Sequence, residues 1–283
     1  MQYGSALPIT AFADVNAVKD YAAALEEAGF DFTSTSGHVM AQPAGTHPQR
    51  PSRQYAGPFY DPFVTFGFLA AVTRRLRFIT GILILPAWPT VLVAKQAAEL
   101  AVFSGGRFAL GVGLSWNAAE YRALGQNFGD RARRIEEQVT VLKLLWSQPY
   151  VTFSGQYHAL ENVGINRAGL PHIPLWFGSE TGEPALRRVA RLADGWMSMG
   201  DPTPHLPRLR QYRLEAGRDP QALMVRGPLV AGDGGPSAWI AAATSLRDAG
   251  VTHLNIAAPL DMPPAQALPR AIEARRAVAD ALG

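Results

Sequence analysis

The stretch that decides the fold is Ser104–Asn117, with the sequence Ser-Gly-Gly-Arg-Phe-Ala-Leu-Gly-Val-Gly-Leu-Ser-Trp-Asn. Its first glycines end a helix, and the apolar run that begins at Phe108 is short enough to be a buried parallel strand. Gly113 and the small and polar residues after it follow at the carboxyl end of that strand. Ligands bind at this end in α/β proteins, because the loops there vary without disturbing the core.

Outward from this stretch, a strand followed by an amphipathic helix recurs roughly eight times. In the first helix, for example, Val18, Ala22 and Leu25 are spaced to share one face. The recurrence predicts one α/β domain over residues 1–283, a (β/α)8 TIM barrel, for which about 250 residues are typical. An open doubly wound sheet is the alternative, but its G-x-G-x-x-G fingerprint is missing after the first strand.

The alternation breaks after the fourth strand. Residues 118–173 predict two helices and a β-hairpin that turns at Ser154-Gly155. We interpret this segment as an insertion over the strand ends within the single barrel domain.

Composition excludes several classes of function. The net charge is only +3 and no block of Lys and Arg occurs, so nucleic acid is not an expected partner. Cysteine is absent, which excludes disulfides, thiolate catalysis and Cys-based metal sites. The six histidines are scattered without an H-E-x-x-H pair, and no metal site is expected. The chain shows neither a signal peptide nor a run of about 20 apolar residues, so we expect a cytoplasmic protein that does not bind membranes.

Candidate ligand contacts lie after several predicted strands. His38 could donate a proton or a hydrogen bond to a bound cofactor, or it could merely fix the long loop that follows it. Gly81 interrupts the third strand, which indicates a bulge, a close approach of a ligand or room for a neighbouring side chain. Glycines after the fourth strand leave room for a flat ligand. The predicted contacts on these two strand ends are Thr80, Gly81, Ile82, Gly111, Gly113 and Asn117.

Two loops are candidates for binding a phosphate. The first precedes a helix, where backbone N–H groups meet the positive end of the helix dipole. Its predicted contacts are Gly178, Ser179, Glu180, Thr181 and Gly182. Ordinary helix capping by Ser179 or Thr181 is the alternative, and Glu180 opposes a phosphate unless it points away. The second loop, Gly232–Ser237, occupies the position that many barrels use, and spacing alone does not separate the two.

Several stretches together resemble the luciferase-like monooxygenase family, whose fold is a (β/α)8 barrel. They include Glu27–Asp31, His38-Val39, Phe108–Gly113 with Trp116, Glu120-Tyr121, Phe153–His158, Pro174–Gly178 and Ala193–Trp196. The similarity covers about residues 1–200. It is greatest to the branch that uses the deazaflavin coenzyme F420, whereas other branches use FMN.

The resemblance implies an oxidoreductase that transfers a hydride between F420 and a small organic substrate. It implies a non-proline cis peptide at Gly81-Ile82, forming a bulge behind the cofactor ring, and it places the phosphate at Gly178–Gly182. His38 matches a histidine that lies beside the reactive ring carbon in some relatives. The substrate is expected under the Gln42–Gly57 loop, and a homodimer is the family-like assembly.

Three departures from the family pattern limit this expectation. Gly37 stands where an aspartate usually precedes the histidine, so an expected orienting carboxylate is missing. Ser179 replaces the second glycine of the phosphate loop. Leu114 stands where sugar-phosphate dehydrogenases of the family carry a glutamate acid, which disfavours a sugar phosphate as substrate. The alternatives are therefore a monooxygenase that uses reduced FMN and oxygen, and a flavin-binding barrel without catalysis.

Overall fold

The structure is a computed structural model of the chain and describes residues 1–8, 14–43, 46, 60–166, 170–259 and 261–283. The elements within these ranges follow one another in the order β1 (Gln2–Ala6), α1 (Val15–Glu27), β2 (Phe32–Gly37), α2 (Pro62–Val72), β3 (Arg77–Leu83), α3 (Thr90–Phe103), β4 (Phe108–Val112), α4 (Ala118–Ala123), α5 (Arg131–Ser147), β5 (Val151–Ser154), β6 (Ala159–Val163), β7 (Leu175–Ser179), α6 (Glu183–Leu192), β8 (Gly195–Ser198), α7 (Leu206–Glu215), β9 (Met224–Val230), α8 (Gly235–Ala249), β10 (His253–Ala257) and α9 (Pro264–Leu282). Short 3-10 turns at Leu85–Ala87 and Thr203–His205 complete the helical segments of the described chain.

Eight of these strands close into a parallel barrel in the order β1, β10, β9, β8, β7, β4, β3, β2. The predicted TIM barrel is confirmed. The remaining two strands, β5 and β6, pair antiparallel as a separate hairpin, as predicted, although the hairpin extends to Val163, beyond the predicted range Val151–Leu160. Between β4 and the hairpin, α4 is short, whereas α5 packs against α3 and α6 in the outer ring of helices.

Local sequence signals explain where the helices begin and end. Asp14 caps α1 by accepting a hydrogen bond from the Ala17 N–H at 3.0 Å. Asp61 caps α2 in the same way, with Pro62 in the first turn. Gly250 ends α8 at φ 105°, a conformation that glycine adopts without steric cost. Of the described helices, none combines the length and apolar character needed to cross a bilayer.

Apolar side chains fill two layers. The larger layer lies between the barrel and the ring of helices and includes Leu110, Trp196 and Ile256, which are all fully buried. The smaller layer fills the inside of the barrel with Phe32, Ile79, Ala109, Trp176 and Met197. Because this inner layer closes the middle of the barrel, a ligand cannot pass through the barrel and has to bind at one of its two ends.

Candidate active site

The predicted site residues come together at the carboxyl end of the barrel. His38 follows β2, Ile82 lies near the end of β3, Gly113 follows β4, and Ser179 ends β7. Since all eight barrel strands are parallel, these ends open to the same side.

A β-bulge shapes this end of the barrel, as the interruption at Gly81 indicated. The pairing of β3 shifts register against β2 between Thr35 and Gly37, and against β4 between Ile79 and Leu83. The expected cis peptide at Gly81-Ile82 is wrong, because the described peptide bonds are all trans. Ile82 instead takes a φ of 100°, a left-handed backbone conformation that is strained for a β-branched residue.

The side chain of Ile82 fills the space that the glycines leave. A Cβ at Gly113 would lie 2.6 Å from Ile82 Cγ2, and one at Gly178 would overlap Ile82 Cδ1 and Cγ1. The expectation that Gly111 and Gly113 leave room for a flat ligand is therefore corrected, because the space at Gly113, like that at Gly178, is filled by Ile82. Half-exposed and seated on the inner apolar layer, Ile82 forms an apolar shelf at the mouth of the barrel.

Thr80 and Gly111 lie beneath this shelf and are both buried. The Thr80 hydroxyl donates a hydrogen bond to the Gly111 carbonyl and accepts one from the Gly111 N–H, each at 2.7 Å. A Cβ at Gly111 would overlap the Thr80 carbonyl oxygen. These two residues join β3 to β4 and so support the shelf from below.

The bulge also explains the departure at Gly37. A Cβ at this position would lie 2.6 Å from the Ile82 carbonyl oxygen and 2.7 Å from Leu83 Cα. Backbone atoms cannot move away as a flexible side chain can, so any side chain at position 37 would be overpacked. The aspartate that the family pattern places there has no room in this structure.

The orienting carboxylate comes from a different element. Glu120 on α4 is fully buried, and its Oε2 lies 2.8 Å from His38 Nδ1. Its other oxygen accepts a hydrogen bond from the Val39 N–H at 2.6 Å. A carboxylate against Nδ1 holds the proton on that nitrogen, so proton or hydrogen-bond exchange with a ligand falls to Nε2.

Asn117 positions Glu120. Its Oδ1 accepts hydrogen bonds from the Ala119 and Glu120 N–H groups at 3.1 and 3.4 Å, which caps α4. Its Nδ2 donates to Gln42 Oε1 at 2.9 Å. The predicted ligand contact at Asn117 is therefore occupied by the backbone of α4 and by the start of the loop after His38.

Sequence reasoning missed Glu120 as a site residue. The Asn117-x-x-Glu120 spacing resembles a capping pattern, and it opens a helix directly after a site strand. That placement was the available signal that the Glu120 carboxylate lies at the mouth of the barrel. The pairing with His38 itself joins residues 82 positions apart, which no local pattern reveals.

The predicted phosphate loop lies between β7 and α6. The N-cap of α6 is Gly182, which brings no capping side chain. Pro184 has no N–H and the Ala185 N–H donates to the Gly182 carbonyl at 3.0 Å, so the first turn offers a ligand the N–H of Glu183. Ser179 Oγ accepts a hydrogen bond from Trp196 Nε1 at 3.1 Å and keeps its own proton to donate.

The acidic side chains near this loop do not exclude an anion. Glu183 in the first turn of α6 is paired with Arg187 and Arg208 at 2.8 and 2.9 Å, which offsets its negative charge. Thr181 is half-buried and Glu180 is exposed, so the donor set fits a phosphate.

The rival loop at Gly232–Ser237 lies at the same end. It includes the first turn of α8, and its Gly232 carbonyl accepts a hydrogen bond from Trp239 Nε1 at 3.0 Å. Of the Gln42–Gly57 loop expected to cover the substrate, residues 44–45 and 47–57 lie outside the described residues.

The protein is a parallel (β/α)8 barrel that carries a histidine–carboxylate pair and a helix N-terminus at one mouth. This combination is typical of one class of protein, the cofactor-binding barrels whose chemistry takes place at the strand ends. The chain belongs to the luciferase-like monooxygenase family, whose family model matches residues 1–280. Members of this family are F420- or flavin-dependent oxidoreductases and monooxygenases.

Comparisons with individual proteins agree with this assignment. An uncharacterised protein of Mycobacterium tuberculosis is 39% identical over 165 residues, which is 57% of either chain. The FMNH2-dependent dimethylsulfone monooxygenase of Pseudomonas putida is 32% identical over 138 residues, 47% of this chain and 38% of that protein. The matched region thus spans well under two thirds of the length of these curated relatives. An F420-dependent secondary alcohol dehydrogenase in complex with an F420-acetone adduct shares the fold, with a TM-score of 0.80 and 17% identity over 100% of this chain and 99% of that one.

Proposed function

We propose that the chain transfers a hydride between the deazaflavin coenzyme F420 and a small organic substrate at the mouth of the barrel. The observation that carries this proposal is the His38–Glu120 pair, held at 2.8 Å beside the shelf of Ile82. A histidine with a fixed tautomer can supply or remove the proton that accompanies hydride transfer to a polar double bond. Whole-chain similarity in fold to an F420-dependent dehydrogenase supports the same choice.

Each part of the mouth has a role in this scheme. Ile82 supports one face of a flat ring, Ser179 and the N-terminus of α6 hold the phosphate, and Glu120 keeps the His38 ring oriented. When bound, the deazaflavin supplies the ring carbon that carries the hydride. The protein contributes orientation and exclusion of water, which set the geometry of the reacting groups.

A second candidate is a monooxygenase that uses reduced FMN and oxygen. The similarity to the dimethylsulfone monooxygenase favours it. The same shelf and phosphate loop would serve FMN, because FMN also combines a flat ring with a phosphate. A flavin-binding barrel without catalysis is less well supported, since Glu120 replaces the carboxylate that Gly37 had left missing.

Turnover with and without oxygen separates these functions. Purified protein is mixed anaerobically with reduced F420 and a panel of enones and imines, and oxidation of the coenzyme is followed by absorbance. We expect substrate-dependent oxidation that needs no oxygen and that falls in His38→Ala. Turnover only with reduced FMN and oxygen would establish the monooxygenase instead, and no turnover with either coenzyme would support the non-catalytic barrel.

We infer in addition that two copies of the chain pair through α2 and its neighbour α3. The outward side of α2 carries Val64, Phe68 and Val72 at intervals of four residues, and all three are exposed. On α3, the exposed apolar residues are Val91, Leu92 and Phe103. An apolar stripe of this kind on two packed helices is typical of a protein interface.

A further inference from the structure

Arg226 lies on the inward side of β9, at the boundary between the packed interior and the open mouth. Met224, two residues before it, packs against the inner apolar layer. Pro228 and Val230, two and four residues after it, are exposed. Since alternate residues of a strand share one face, Arg226 follows Met224 on the face that lines the barrel.

Within the part of the chain that the structure describes, the positive charge of Arg226 has no carboxylate partner. Its guanidinium makes one long hydrogen bond, from Nη1 to Ser34 Oγ on β2 at 3.4 Å. None of the ion pairs among the described residues includes Arg226. The residues outside the described ranges contain no Asp or Glu in the sequence. Burial lowers the pKa of Arg226 to about 10, so the group still carries its charge at neutral pH.

A second polar side chain near Arg226 has an oxygen atom without a hydrogen-bond partner among the described residues. Asn255 on β10 shares the inward face with His253, which pairs in register with Arg226. The Asn255 Oδ1 atom is buried and has no hydrogen-bond partner in the described part of the chain. Because the two ends of an amide are interchangeable by rotation, Asn255 can present either a donor or an acceptor toward a ligand.

A purely structural arginine would be arranged differently. Arg188, which is more deeply buried than the half-buried Arg226, pairs with Glu136 at 3.1 Å. An interior charge without a partner is destabilising, because the lost hydration is not replaced. Such a group is retained at a site where a ligand supplies the opposite charge.

We propose that Arg226, together with Ser34 and Asn255, binds a carboxylate or comparable oxyanion of the substrate from inside the barrel. This proposal rests on the proposed function, because it assumes that the reaction takes place at this mouth of the barrel. Ser34 and His38 are four residues apart along and beyond β2, which corresponds to roughly 13 Å at about 3.3 Å per residue. A substrate held at Arg226 would therefore extend its other end toward His38.

Binding of matched acids and amides tests this assignment without any coenzyme. Benzoate with benzamide, and cinnamate with cinnamamide, are titrated into the protein while its tryptophan fluorescence is followed. We expect at least one acid to bind about tenfold or more tightly than its amide, which corresponds to the 1.4 kcal/mol of one charge-assisted hydrogen bond. In Arg226→Gln that preference disappears, whereas Arg226→Lys keeps part of it. Arg247→Gln, which removes a surface arginine paired with Asp248, is the control and should match wild type.

Two further measurements separate this role from the alternatives. The thermal midpoint of Arg226→Met should equal or exceed that of wild type, because an unpaired interior charge is removed. F420 and FMN should bind Arg226→Gln as they bind wild type. The proposal is overturned by equal binding of acids and amides in wild type, by a preference retained in Arg226→Gln, or by a lower midpoint with unchanged acid binding. The proposal is also overturned if Arg226→Gln loses affinity for the coenzyme while the wild-type protein shows no preference for acids. In that case the charge of Arg226 binds the coenzyme and not the substrate. If neither coenzyme binds, the proposed function fails while the acid–amide comparison still stands.

Discussion

At the scale of single residues, the His38–Glu120 pair is the part of the site most open to test. Glu120→Gln keeps the size of the side chain but removes the charge that faces Nδ1. We expect kcat to fall by about 10- to 100-fold, because the ring loses its preferred tautomer and orientation. Cofactor affinity should change little, since Glu120 is fully buried behind His38.

The chain offers a matched control for this substitution. His158 and Glu137 form a second pair with the same Nδ1-to-carboxylate distance of 2.8 Å, at the β5–β6 hairpin. Glu137→Gln should loosen the hairpin and leave kcat near its wild-type value. Equal losses of kcat in the two variants would contradict a specific role for Glu120.

A buried histidine in the barrel makes stability depend on pH. Burial lowers the pKa of His253 to about 4 from an unfolded value of 6.5, with Arg77 and Arg226 adding to the effect. The unfolded chain therefore binds this proton more readily. The stabilisation is complete above pH 6.5 and is lost as the pH falls toward 4, by a total of about 3 kcal/mol.

Urea unfolding at pH 7, 5.5 and 4.5 measures this loss. His253→Gln should flatten the dependence on pH, whereas His172→Gln, which alters an exposed histidine, should leave the wild-type slope. A wild-type slope in His253→Gln would show that other groups govern stability in acid.

At the scale of elements, the sequence predicted regular structure well and irregular structure poorly. Apolar spacing predicts a helix over Thr90–Phe103 and a strand over Phe108–Val112, and α3 and β4 have these bounds. For the second strand, in contrast, aromatic and β-branched content predicts Phe30–Thr35, whereas β2 begins and ends two residues later, at Phe32 and Gly37. The bulge of β3 pairs with that end of β2 and keeps it in the barrel. Such a contact between strands does not change the sequence periodicity of either strand, so it could not be predicted.

The same limit applies to the site. Position on a strand end was enough to predict His38, Ile82 and Ser179 as residues of the mouth. It could not show that Thr80 bonds to the backbone of Gly111 and that Asn117 bonds to the backbone of α4 and to the Gln42 side chain, because capping and ligand binding call for the same residue types. The role of Glu120 depends on a contact across 82 positions that exists only in the folded chain.

The loop between β7 and α6 yields a prediction at this scale. Gly182 has an extended N-cap conformation, and no atom lies within 4 Å of its missing Cβ. Gly182→Asp should therefore stabilise the protein by a few tenths of a kcal/mol, since aspartate is a good N-cap. It should also weaken binding of a phosphate-bearing coenzyme by about tenfold, through repulsion at close range.

Gly182→Ser is the neutral control, because it caps the helix without adding charge. Dissociation constants for both variants are measured by fluorescence titration with F420 and FMN. Equal affinities in the two variants would move the phosphate to the rival loop at Gly232–Ser237.

At the scale of the whole molecule, the exposed side of α2 predicts assembly. Val64 is 73% exposed on a helix whose outward side carries no charge. Sedimentation velocity should show a dimer for wild type and a monomer for Val64→Lys. Val15→Lys changes a residue of α1 that is 55% exposed and should leave the dimer intact. A wild-type monomer at about 100 μM would contradict the interface, since obligate pairs bury enough area to persist far below that concentration.

The central claim is that the mouth of this barrel takes a deazaflavin coenzyme. Equilibrium titration of the wild-type protein with F420 and with FMN, followed by fluorescence, tests that claim most directly. We predict saturable binding of F420 at least about tenfold tighter than that of FMN, a difference of 1.4 kcal/mol. Tight binding of FMN with no binding of F420 would contradict it and leave the oxygen-dependent monooxygenase as the function of this site.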